Sequence, residues 1–161
     1  MSILLSGSEV FSMAMEIEKS GYAFYKTVAG TSGSEPLKQL FTFLAEQEIQ
    51  HYEFFEKLSK ENAEFDINED DWEEISDYIR ATTESRFFIG EDKAINLAKS
   101  VSDPEEAIDI AIGFEKDTLL FFYELLNVTP EASKNAAQQI VEEEKRHIRL
   151  LSEKKHAFLG E

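Results

Sequence analysis

The sequence predicts an all-α protein, a four-helix bundle with a long helical crossover between the second and third long helices. Four long stretches carry an apolar stripe at helical spacing, helix-start signals precede them, and two of their connections are short. We therefore expect one domain over residues 1–161. Its long helices are predicted at about 7–29, 35–60, 104–127 and 130–158, and the crossover at about 61–103.

Each long helix has a start signal of a kind that satisfies the free N–H groups of a first helical turn. In chain order the signals are Ser6 with Glu9, Ser34 with Pro36, Asp103 with Pro104, and Thr129 with Pro130.

The crossover holds about forty residues, which is too long for a loop without secondary structure. Apolar residues around Trp72, Ile75, Ile95 and Leu97 predict short helices within it. A short loop, a long crossover and a second short loop place the second and third long helices parallel to each other.

Composition excludes several kinds of partner. The net charge of −17 repels phosphate backbones and anionic lipid, so we expect neither a nucleic-acid nor a membrane partner. No apolar run is long enough to cross a bilayer, and the first residues lack the features of a signal peptide, so we expect a cytoplasmic protein. The absence of Cys excludes disulfides, Cys-ligated zinc and thiolate-bound iron.

Two Glu-x-x-His motifs are the strongest functional signal. Each follows, by about thirty residues, a lone Glu on another amphipathic stretch. In a four-helix bundle, one Glu from each of two helices and one Glu-x-x-His from each of the others can together hold a dinuclear iron or manganese centre. The six predicted ligands are Glu18, Glu48, His51, Glu115, Glu144 and His147.

Helical phase separates these residues from the many other acids. The six lie on apolar seams, and they repeat between the two halves of the chain, at an offset of 97 for the lone Glu and 96 for the motif. His156 also follows a Glu by three residues, but it lies nine residues beyond His147, on the opposite face of the helix, and we expect it in solvent. Four acids off the seams are also expected to be solvated: Glu16, Glu46, Glu142 and Glu143.

Burial of the four ligand carboxylates requires compensation, because each would cost several kcal/mol if ionised and unpaired. Two divalent cations would balance four carboxylates. Imidazole together with carboxylate suits iron, manganese or zinc better than magnesium or calcium, and the ligand set by itself does not select iron.

Residues 18–25, 46–51 and 143–147 resemble the rubrerythrin branch of the ferritin-like superfamily. The resemblance covers the four long helices and implies a ferritin-like bundle in which the six residues bind two iron ions, Glu48 and Glu144 bridging or chelating them. Family members reduce peroxide or oxidise ferrous iron with oxygen. The resemblance therefore implies a di-iron oxidoreductase acting on peroxide or oxygen.

Three departures from the family pattern refine this interpretation. Rubrerythrins proper carry a C-terminal rubredoxin domain with four Cys, and this sequence has none, so we expect a separate electron-donor protein such as rubredoxin. Thr118 stands where rubrerythrins commonly place an additional Glu, which leaves a four-Glu, two-His set that also resembles the bacterioferritin ferroxidase centre. Ile49 replaces the Met that binds haem in bacterioferritins, so we expect no haem.

Several alternatives remain open. Tyr25 lies two turns from Glu18 on the same face, where it could hydrogen-bond a ligand carboxylate or supply an electron, or be a buried Tyr with an unrelated partner. The protein could instead load an iron store. It could also be a non-catalytic acidic helical module that binds a basic partner, its metal structural or absent. A homodimer is possible, since bundles of this kind often pair through helix faces.

Overall fold

The computed structural model describes residues 7–64, 66–83 and 90–160, with the backbone alone for 78–83. This part of the chain forms six helices: α1 (Gly7–Thr31), α2 (Glu35–Glu61), α3 (Glu69–Thr83), α4 (Glu91–Ser100), α5 (Pro104–Val128) and α6 (Glu131–Leu159). The long helices α1, α2, α5 and α6 form the bundle, and their ends lie within two residues of the predicted ones. The two short helices lie in the crossover, as predicted.

Contacts between α2 and α6 establish the direction of the helices. Phe43 of α2 contacts His147 of α6, whereas His51, further along α2, contacts Glu143, which comes earlier in α6. The two helices therefore run antiparallel. Because α6 also follows α5 after a short loop, α2 and α5 run parallel, as the loop lengths predict.

Two of the predicted helix caps are confirmed and one is wrong. The side chains of Ser34 and Asp103 accept backbone N–H groups from Leu37 (3.4 Å) and Glu106 (2.9 Å). Thr129 does not cap α6, because its hydroxyl donates to the Leu125 carbonyl, 2.7 Å away, in the last turn of α5. Ser6 lies outside the described residues.

Apolar layers close the bundle on both sides of the predicted ligands. Each ligand Glu has an apolar residue or Tyr seven positions before and after it, close to two helical turns. One layer contains Phe11, Phe55, Phe122 and Ala137, and the other contains Tyr25, Phe41, Ile108 and Leu151; all are buried. Ring centroids lie 4.9 Å apart for Phe55 and Phe122 and 5.6 Å for Tyr25 and Phe41. The carboxylates are thus enclosed along the bundle axis.

The two described helices of the crossover pack mainly against two of the long helices. Helix α4 packs against α1, and α3 packs against α5. The buried Ser20 hydroxyl of α1 accepts the Gly90 N–H at 3.1 Å, and Gly90 takes a left-handed φ of +82° at the start of α4. None of the described helices is long and apolar enough to cross a membrane.

Candidate metal centre

The six predicted ligands converge at the centre of the bundle. Each comes from the inward seam of a long helix, and their exposed fractions are 0–4%. Their ligand atoms form two overlapping groups, within each of which all atoms lie within 4.8 Å of one another. One group is Glu18, Glu48, His51 and Glu144, and the other is Glu48, Glu115, Glu144 and His147. The structure therefore brings together all six residues that were predicted as ligands.

The overlap between the groups has a direct chemical meaning. Glu48 and Glu144 belong to both groups, so their two carboxylates lie between two possible ion positions. Each position then has one Glu and one His of its own: Glu18 with His51, and Glu115 with His147. Two carboxylates shared by two positions form a dinuclear arrangement rather than two separate sites.

The hydrogen-bonding state of these oxygens tests whether cations fit there. Among the described residues, both carboxylate oxygens of Glu18 and of Glu48 are buried without a hydrogen-bond partner, as is one oxygen each of Glu115 and Glu144. Buried polar atoms are nearly always satisfied, and an ionised carboxylate without a donor is especially costly. These unpartnered acceptors belong to the four carboxylates that converge in the two groups, and such a set suits two divalent cations.

Both imidazoles present the same nitrogen to the centre. His147 Nδ1 lies 3.0 Å from Glu144 Oε2 and 3.7 Å from Glu115 Oε1. His51 Nδ1 approaches Glu144 Oε1 to 2.9 Å, yet neither atom has a hydrogen-bond partner within the described chain. The rings stack with centroids 5.5 Å apart and planes 21° apart. Each His is therefore placed to coordinate through Nδ1.

Glu143 was predicted to be solvated, and that prediction is wrong. Its carboxylate is only partly exposed and accepts a hydrogen bond from His51 Nε2 at 2.9 Å. Because Glu143 immediately precedes Glu144, it lies at the edge of the seam and faces α2 rather than open water. Its place one residue from the seam was the sequence feature that could have indicated this contact. A carboxylate on the outer nitrogen of a ligand His fixes the tautomer and makes the inner nitrogen a better donor to metal.

The remaining off-seam acids and His156 follow the prediction. Glu16, Glu46 and Glu142 are exposed, and so is His156. Thr118, one turn beyond Glu115, is buried, with a hydroxyl oxygen that has no hydrogen-bond partner in the described part of the chain.

Tyr25 supports one ligand directly. Its hydroxyl donates to Glu115 Oε1 at 2.5 Å, and its side chain is fully buried between Phe41 and Phe114. Burial, with the charge of Glu115, raises the Tyr25 pKa well above its ordinary value, so the hydroxyl keeps its proton and remains a donor. Of the alternatives left open for Tyr25, the structure shows the hydrogen bond to a predicted ligand carboxylate, that of Glu115.

Gly21 makes room for the shared carboxylate of Glu48, a role that the apolar seams of the sequence did not indicate. A Cβ at this position would lie 2.7 Å from Glu48 Oε2 and 2.9 Å from the Phe114 ring. A Gly inside a helix costs about 1 kcal/mol of stability relative to Ala, so a Gly there usually has a packing reason. Its place one turn from Glu18 could have indicated that another group approaches the α1 backbone closely.

Burial and mutual repulsion act on the carboxyl groups. Burial raises the pKa values of Glu18 and Glu48 well above their ordinary range, and burial with the charge of Glu144 raises that of Glu115 to about 7. Burial acts on Glu144 in the same direction, but the nearby charge of His51 and a hydrogen bond from His147 outweigh it and hold the pKa of Glu144 below its ordinary value. The protein's own groups thus keep Glu144 ionised and favour protons on its neighbours.

The imidazoles are the positive partners within this cluster. Burial would lower the pKa of both His51 and His147, but the surrounding carboxylates outweigh it and raise each to about 10. Metal coordination requires neutral imidazole and ionised carboxylate. A cation must therefore displace protons from the cluster, and its affinity should increase as pH rises toward 10.

We predict that Gly21→Ala lowers metal affinity by at least about tenfold, because the new methyl group displaces the shared Glu48 carboxylate. The matched control is Gly30→Ala in the same helix, where a Cβ would meet no described atom within 4 Å. Metal titration of both variants measures the effect. Equal affinities for the two would contradict the packing role of Gly21.

We predict that Glu143→Gln weakens metal binding about tenfold at the position of His51, because the amide oxygen still accepts the Nε2 proton but lacks the negative charge. The control is Glu142→Gln, which alters the adjacent exposed acid that pairs with Lys145 at 2.7 Å. Competition with a chelator of known affinity gives both values. If the two variants bind metal equally well, Glu143 does not tune the site.

Comparison with known proteins agrees with this geometry. The rubrerythrin family matches residues 9–155. A solved structure from Thermotoga maritima, described as a ferritin-like diiron-carboxylate protein, shares 26% identity over 97% of this chain and 98% of its own, with a TM-score of 0.70. No protein of curated function matches the chain significantly. The family match spans nearly the whole sequence and includes all six converging ligands, and the chain accordingly belongs to the rubrerythrin family.

Proposed function

We propose that the protein is a di-iron oxidoreductase that reduces hydrogen peroxide, or alternatively oxygen, with electrons from ferrous iron. The single observation that carries the proposal is the sharing of Glu48 and Glu144 by two ligand groups. A structural metal needs one closed set of ligands. Two ions joined by carboxylates can instead deliver two electrons to one small molecule. Family membership and the diiron-carboxylate description of the Thermotoga protein support iron as the metal.

The reaction needs two electrons and two protons for each peroxide, giving two water molecules. Ferrous ions in both positions would supply the two electrons and a Lewis-acidic surface for the peroxide oxygens. The six side chains would hold the ions. Four carboxylates and two neutral imidazoles carry four negative charges, which two divalent ions neutralise.

The surrounding residues orient the ligands and exclude water. Tyr25 holds the Glu115 carboxylate from one side, and Glu143 holds the His51 ring through its outer nitrogen. The apolar layers on both sides close the bundle axis. Stray water and oxidant would therefore reach the centre only between helices, which favours controlled oxidation over loss of the metal.

The electrons must be replaced after each turnover. This sequence has no Cys and therefore no ligands for a rubredoxin-type iron centre. We propose that a separate electron-donor protein such as rubredoxin reduces the oxidised centre.

The test is stopped-flow absorbance on protein reconstituted anaerobically with ferrous iron and mixed with peroxide or, separately, with oxygen. We expect faster oxidation by peroxide. His51→Ala should lose metal from at least one position and slow the reaction at least about tenfold, because one coordinating nitrogen is removed.

The matched control is His156→Ala, which removes an exposed His from the same bundle. It should retain full metal content and rate. Faster oxidation by oxygen would favour a ferroxidase. Stable protein without stoichiometric metal, or a rate that His51→Ala leaves unchanged, would contradict the proposal and favour a non-catalytic helical module.

A further inference from the structure

The ligands are not equally shielded from solvent. His147 is 4% exposed, whereas the other five ligands are 0–1% exposed. Of the six predicted ligands, His147 therefore has the largest solvent-exposed fraction. His147 belongs to α6 and faces α2, so an approach to this ligand lies between these two helices, while the crossover helices pack against α1 and α5.

The outer edge of the other imidazole, on the same side of the bundle, is closed by charged groups. His51 Nε2 is covered by Glu143 at 2.9 Å, and Glu143 is itself paired with Arg146 at 3.3 Å. Passing there would require breaking a hydrogen bond to a buried ring and an ion pair. At the His51 end, α2 and α6 are thus joined by this hydrogen bond, with the ion pair beside it.

At the His147 end, the described contact from α2 is an aromatic ring. Phe43 stands edge-on to His147, with ring centroids 6.4 Å apart and planes 86° apart. It is 42% exposed, so much of its surface contacts water rather than protein. An exposed side chain changes rotamer in picoseconds to nanoseconds, so this ring can move without any change in the backbone.

Resting on the proposed function, we propose that Phe43 is a specificity-determining residue that sets the size of the oxidant reaching the metal centre. Hydrogen peroxide and oxygen pass beside its ring to His147. Hydroperoxides with a bulky organic group are hindered. For hydrogen peroxide (R = H) and for organic hydroperoxides the chemistry is the same: the O–O bond of ROOH breaks, two ferrous ions become ferric, and two protons are taken up to give ROH and water.

The chain offers a matched control on the same helix. Ile49 is also 42% exposed on α2, but it lines a different groove, together with Tyr22 and Lys26 of α1. Truncation of either side chain removes a comparable exposed apolar group. Only truncation at Phe43 should widen the path to His147.

The first measurement compares cumene hydroperoxide with hydrogen peroxide in stopped-flow oxidation of ferrous protein. Phe43→Ala should raise the ratio of the cumene hydroperoxide rate to the hydrogen peroxide rate by at least about tenfold, a typical effect of reshaping an apolar passage. Phe43→Leu keeps an apolar side chain and is therefore less prone to unfold. Its rate ratio should lie between those of the unaltered protein and Phe43→Ala. Ile49→Ala should match the unaltered protein.

A second measurement does not depend on turnover. Protein loaded with Co²⁺ is mixed with EDTA, and the decay of the visible cobalt absorbance gives the rate of extraction. Phe43→Ala should accelerate extraction, and Ile49→Ala should not. If the unaltered protein fails to react with either peroxide but Phe43→Ala still accelerates extraction, the proposed oxidoreductase function fails and the access route stands.

Two results would overturn the proposal. One is that Phe43→Ala changes neither the ratio of the cumene hydroperoxide rate to the hydrogen peroxide rate nor the rate of cobalt extraction. The other is an equal increase for Phe43→Ala and Ile49→Ala, which would show that loss of any exposed apolar side chain on α2 loosens the bundle.

Discussion

Four carboxylates share the apolar interior of this bundle, and the surrounding structure is organised by the need to balance their charge. In an interior of low dielectric, an ionised carboxylate without a partner costs several kcal/mol. Two buried imidazoles act as internal counter-charges and favour the ionised form of Glu144. Burial instead raises the pKa values of Glu18 and Glu48, so these two carboxyl groups favour their protonated forms. Two divalent cations would replace this arrangement of protons. Among the described residues, the buried carboxylate oxygens without hydrogen-bond partners fit that exchange.

The rest of the architecture places these groups at one level of the bundle. Apolar side chains two turns on either side of each ligand Glu hold the helices in register, and ring contacts such as Phe55 with Phe122 close each layer. Gly21 lets α1 approach the shared carboxylate of Glu48. The described crossover helices pack against α1 and α5, and His147, the most exposed of the six predicted ligands, contacts Phe43 of α2.

Most of the fold and the convergence of the six residues predicted as ligands were predictable, because helical phase places a polar residue on a buried seam only when something compensates it. What could not be predicted depends on distances between helices. Glu143 lies one residue away from a seam, and only the packing of α2 against α6 shows that it reaches His51. Thr129 matches a cap pattern, yet its hydroxyl bonds to the preceding helix. The unequal shielding of the two imidazoles likewise depends on packing that sequence symmetry conceals.

We infer that this acid cluster binds two cations that share two carboxylates. The decisive experiment is calorimetric titration of the protein with ferrous iron, performed anaerobically in buffers of different protonation enthalpy. We expect two ions bound per chain and a net release of protons, because raised pKa values leave protons on the predicted ligands until metal displaces them. Binding of a single ion, or of two ions without proton release, would contradict it.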